Sequence, residues 1–133
     1  MKSGIRYAAL WLAALTLPVM FGCSKGEVQR NDISGTITYQ GKPVPEGTIA
    51  FEPVAGEIGG GFAYIRDGKY DTAQEGRGYL AGENRITING NTGEYVEPGN
   101  PDSGTVPLFS GYEVTEDLPE GSTTMDFEVP ADK

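Results

Sequence analysis

Histidine is absent from the 133 residues. Its absence excludes Ser-His-Asp and Cys-His nucleophilic machinery and any histidine-ligated zinc site. Cysteine occurs once, at Cys23, so no internal disulfide can form. Basic residues are scarce, ten against nineteen acidic ones, for a net charge of −9. With no basic stripe to neutralise a phosphate backbone, nucleic acid is excluded as a partner. The glycine-rich stretch "GEIGGGFAYIRDG" lacks a Lys-Ser/Thr ending and a following helical pattern, which removes a Walker-type or dinucleotide cradle. No cofactor is implied, and the chain reads as a non-enzyme.

Turn-forming residues, by contrast, are abundant. Twenty glycines and nine prolines beside 38% hydrophobic residues favour short strands joined by tight turns, and the length suits one domain. The first residues follow a different rule. Lys2 and Arg6 precede an uncharged run from Tyr7 to Phe21, then Gly22, Cys23 and the polar Ser24-Lys25-Gly26-Glu27. That order is a secretory leader, residues 1–22. The run is shorter than the roughly 20 apolar residues a spanning helix needs, and it contains Pro18.

Met20-Phe21-Gly22-Cys23 resembles the lipobox of bacterial lipoproteins. Gly22 and Cys23 agree with it; Met20 and Phe21 depart from the Leu and the small residue that the family prefers. The resemblance implies cleavage between Gly22 and Cys23, acylation of the Cys23 thiol, for instance by palmitate, and a membrane anchor. Ser24 after the cysteine is compatible with release to the outer membrane. Acylation also removes a thiol that would otherwise sit unpaired in an oxidising compartment. Residues 23–32 then read as a polar tether.

From residue 33 onward the pattern has period two. "ISGTITY" sets Ile33, Ile37 and Tyr39 on one face against Ser34, Thr36 and Thr38 on the other. "QGKPVPEG" is a turn, and Thr48 to Pro53 is a second strand with Ile49 and Phe51 inward. "GFAYIR" and "KYDTAQ" flank Asp67-Gly68, a two-residue hairpin signal. "AGENRITING" places Ile86 and Ile88 inward. Asn89 to Gly104 is a long Asn-, Gly- and Pro-rich connection, a functional loop or a floppy one. A weak strand follows around Val106 to Phe109, interrupted by Pro107. "STTMDFEVP" alternates Thr123, Met125, Phe127 and Val129 with polar residues. About seven short strands define an all-β, antiparallel β-sandwich over residues 33–133.

"SGTITYQGKPVPEGTIAFEP", "DGKYD" and "LAGENRITI" together resemble the carboxypeptidase regulatory-like, or transthyretin-like, β-sandwich module. The resemblance covers Ile33 to Asn89 and implies a non-catalytic accessory domain of envelope lipoproteins.

Candidate chemistry is sparse. Asp71-Thr72-Ala73 is similar to the signature of dimeric aspartic proteases, but Lys69-Tyr70 replaces the apolar pair that would perturb the carboxylate. Glu113, Glu116, Asp117 and Glu120 lie close together, yet match no calcium-loop spacing. Tyr95, in the Asn89 to Gly104 stretch, is the candidate binding contact, because loops on a rigid scaffold carry function. The expected function is a lipid-anchored, non-catalytic structural or binding module whose partner is an envelope protein or a polysaccharide. A carbohydrate-binding or calcium-stabilised adhesion module, and a small exported hydrolase using carboxylates, are the alternatives.

Overall fold

The computed structural model describes residues 22, 28–56 and 59–131. Among them the regular structure is strand, apart from one 3-10 turn at Pro101–Ser103. The strands are β1 Ile33–Tyr39, β2 Lys42–Pro43, β3 Glu46–Pro53, β4 Gly61–Arg66, β5 Lys69–Asp71, β6 Gly76–Arg77, β7 Gly82–Tyr95, β8 Thr105–Leu118, β9 Thr123–Thr124 and β10 Phe127–Val129. The main path runs β10-β1-β5-β4-β3-β7-β8, with β2, β6 and β9 as short side pairings.

Alternation decides which faces are covered. Ile49 and Phe51 of β3, Ala63 and Ile65 of β4, and Ile86 and Ile88 of β7 point one way and are buried. The sheet curls so that β1 packs across from β8 while both ends stay unpaired with each other, an all-β sandwich-like fold. Tyr39 of β1 stacks on Phe109 of β8 with ring centroids 4.9 Å apart. Phe51 lies between Tyr70 and Tyr79, at 6.3 and 6.2 Å. Gly90 makes the Tyr39 end possible, because a Cβ there would stand 2.5 Å from the Phe109 ring.

Two hairpins are made by backbone that accepts positive φ. Asp67 and Gly68 have φ of 50° and 74°, as the Asp-Gly pair demands, and Gln40 and Gly41 repeat the geometry at 52° and 75°. The second hairpin, closed by the Tyr39–Lys42 pair, lies inside what the sequence presents as one undivided turn.

One expectation needs correction and two gain detail. Asn89 to Gly104 is not a long loop: β7 continues to Tyr95, β8 begins at Thr105, and the two form a hairpin of fourteen-residue strands. Pro107 lies inside β8 opposite Asn91, where the register with β7 shifts on both sides, and the strand continues past it at the edge of the sheet. The fold is the expected all-β, almost wholly antiparallel sandwich-like arrangement, with one parallel seam. β1 runs parallel to β9 and β10, with Ile33 opposite Thr123 and Tyr39 opposite Val129. Finally, the last residues before β1 also touch the sandwich. Asn31 is buried, pairs with Tyr79, and its side chain accepts the Gly121 N–H at 2.8 Å. Arg30 donates to the carbonyls of Gly59, Gly60 and Gly78.

Candidate functional site

The outer faces of β1, β4 and β5 form an open groove of about 490 Å³. Its walls follow from strand alternation. Ala63 and Ile65 face the core, so Tyr64 and Arg66 face outward; Tyr70 is buried, so Lys69 and Asp71 flank it outside. Ser34 and Thr36 are the polar face of β1. Thr124 and Asp126 arrive from the far end of the chain through the parallel pairing. A second depression of about 570 Å³ shares Ser34, Asp71 and Thr124 and extends the groove past Asp32 and Ser122.

Hydrogen bonds hold the walls. Asp126 Oδ1 accepts the Thr36 N–H at 2.8 Å, and Asp71 Oδ1 accepts the Ala73 N–H at 2.9 Å. Arg66 donates from Nε to Glu75 at 2.7 Å, and this bond to the carboxylate raises the guanidinium pKa. Beneath the groove Tyr70 donates its hydroxyl proton to Met125 O at 2.6 Å. Burial, then the charge of Asp126, pushes that phenol well above its ordinary pKa. Tyr70 is therefore a neutral structural donor at physiological pH. The ring of Tyr64 is 49% exposed and meets Phe62, 38% exposed, edge to face at 5.9 Å.

Chemically, the groove interleaves hydroxyls, single carboxylate oxygens, Gln74 and the Lys69 ammonium around one open aromatic face. Neither sign of charge dominates it. Such a surface suits a polyhydroxylated ligand, which needs alternating donors and acceptors and a ring to stack on.

The residues singled out in the sequence fall elsewhere. Cys23 lies outside the described residues, as does the leader apart from Gly22, which is exposed. Tyr95 stands near the tip of the β7–β8 hairpin, 43% exposed and opposite Thr105, away from the groove. Glu113 and Asp117 share one face of β8, Glu116 takes the other, and Glu120 follows the strand. Among the described residues no three acidic or cysteine side chains gather as a metal site. The groove residues carry a local signal, the polar face of "ISGTITY" and the outward Tyr64. Nothing local brings Asp126 to Thr36, ninety residues away.

The fold and the groove define a β-sandwich-like protein with an open, mixed polar and aromatic surface site. No family model, no curated protein and no solved structure matches the chain.

Proposed function

We propose that the protein is a lipid-anchored module of the bacterial cell envelope that binds and does not catalyse, held by acylated Cys23 and taking a polysaccharide segment in the Tyr64 groove. One observation carries the binding reading: an exposed ring, Tyr64, beside hydroxyls and hydrogen-bonded carboxylates in an open groove of about 490 Å³. The anchor rests on the leader that ends in Gly22-Cys23. Ser24 favours the outer membrane. The all-β fold is compatible with the carboxypeptidase regulatory-like module that the turn residues resemble, and membership of that family is part of the proposal.

Electrophoresis through a native gel containing envelope polysaccharide tests the groove. The wild-type protein is retarded, Tyr64→Ala runs free, and Tyr95→Ala is retarded like wild type. Equal retardation of Tyr64→Ala and wild type removes the groove from the account. Metabolic labelling with a radioactive fatty acid tests the anchor: label is incorporated and lost in Cys23→Ser. Turnover of ester, peptide or glycoside substrates would overturn the non-catalytic reading.

A further inference from the structure

We infer that the outer edge of β8 receives an extended, basic segment of another protein, added as one more strand. Among the described residues no strand pairs with that edge. Gly111, at a φ of 69°, and the register shifts from Ile88 to Tyr95 break up the arm side of the β7–β8 ladder. From Tyr112 to Leu118 the register with β7 is unbroken, which leaves a straight seven-residue edge.

The backbone groups it presents can be worked out. Val54 N–H donates to Glu83 O at 2.9 Å, one step beyond the Pro53–Asn84 pair. Glu83, Arg85 and Thr87 therefore turn their backbone groups toward β3, and Asn84, Ile86 and Ile88 turn theirs toward β8. Their partners Glu116, Val114 and Tyr112 face back to β7. Glu113, Thr115 and Asp117 are left with N–H and C=O pointing out from the sheet, free to pair with a further strand.

Charge selects the occupant. Between Ile86 and Ala131 the chain has nine acidic residues and no basic one. On the edge, Glu113 and Asp117 lie on the outer face, while half-buried Tyr112 and Val114 lie on the inner face. An incoming strand that alternates Lys or Arg with apolar residues matches both faces. A second copy of this chain would set the same carboxylates against each other, which opposes self-pairing.

The test uses the full chain in neutral detergent micelles and two capped heptapeptides, one alternating Lys with Val and one alternating Ser with Val. At low salt the Lys/Val peptide binds about tenfold more tightly, and the advantage shrinks at high salt. Thr115→Pro removes one outward N–H and abolishes binding, with the circular dichroism spectrum unchanged; Thr115→Val retains it. The double variant Glu113→Gln, Asp117→Asn binds both peptides equally, a readout that stands even if the proline variant fails to fold. Equal or no binding of the two peptides by wild type overturns the proposal. If, in addition, the double variant self-associates in sedimentation, the carboxylates act as a guard against edge aggregation.

Discussion

Replacing Gly35 by alanine probes the contact that joins the two ends of the chain. A Cβ at Gly35 would stand in forbidden contact with Met125 O and 2.7 Å from Met125 C, both backbone atoms that no side-chain rotation can move. Met125 and Asp126 must withdraw by about 1 Å or more to reach ordinary contact. Three hydrogen bonds cross this point: Met125 N–H to Ser34 O at 2.9 Å, Thr36 N–H to Asp126 Oδ1 at 2.8 Å, and Tyr70 hydroxyl to Met125 O at 2.6 Å. Each neutral bond is worth about 1 kcal/mol and the bond to the carboxylate about 1.5–3, so their joint loss costs about 3–5 kcal/mol. Spread over a domain of this size, that lowers the melting temperature by roughly 15–30 °C. Thermal unfolding followed by far-ultraviolet circular dichroism measures it, with urea titration as a second reading. A melting temperature within about 3 °C of wild type would refute the close packing of β9 and β10 on β1.

Two further outcomes follow from buried polar groups. Burial raises the pKa of both Tyr70 and Tyr79, so their stabilising contribution is complete below the unfolded tyrosine pKa, near 10, and declines as pH rises above it. Unfolding free energies from urea titration should fall from about pH 10 upward, by up to about 1.4 kcal/mol per pH unit for each tyrosine, and more gently in Tyr70→Phe; an unchanged slope in that variant would be the contrary result. Asn84 is fully buried and donates through Nδ2 to Leu80 O at 2.8 Å and Gly82 O at 2.9 Å. Asn84→Ala strands both carbonyls and should cost about 2–3 kcal/mol in chemical denaturation, whereas a loss below about 0.5 would show that the turn before β7 does not depend on it.

Period-two patterning was legible wherever a strand has one buried face. Ile33 and Ile37, Ile49 and Phe51, Ile86 and Ile88, and Phe127 and Val129 are all buried as alternation requires. Asp67-Gly68 announced its own hairpin. The signal failed on the distal half of the β7–β8 hairpin because these strands leave the core there. Thr92 to Tyr95 pairs with β8 alone, past the last β3 partner at Asn91, and an arm with no buried face has no hydrophobic period to read. Tyr79 was visible as an aromatic but not as a fastener. Its one hydroxyl proton is shared between Pro119 O and Gly121 O, at 2.6 and 2.9 Å, a meeting set by the closing of the sandwich. The groove was missed for the same reason, since its walls come from both ends of the chain.

The ends of the sandwich differ in a way that bears on both proposals. The chain enters through Arg30 and Asn31 at the pole where β7 begins and β8 ends, beside Tyr79 and Gly121. The β7–β8 arm leaves from the opposite pole, beyond the Glu46–Asn91 pair. Fourteen residues of strand at about 3.4 Å each set Tyr95 about 45 Å along the strand from Gly82. The residues from Cys23 to Gln29 reach at most about 25 Å. If Cys23 is the anchor, as proposed, the entry pole lies within that reach of the lipid. The arm at the opposite pole carries exposed Tyr95, Val96 and Val106 among Glu94, Glu97 and Asp102. An acidic arm carrying apolar side chains matches the same kind of basic partner as the one inferred for the β8 edge. The unbroken edge of β8 runs from that arm toward the entry pole, so a strand captured there would lie along the side of the module and link its two poles.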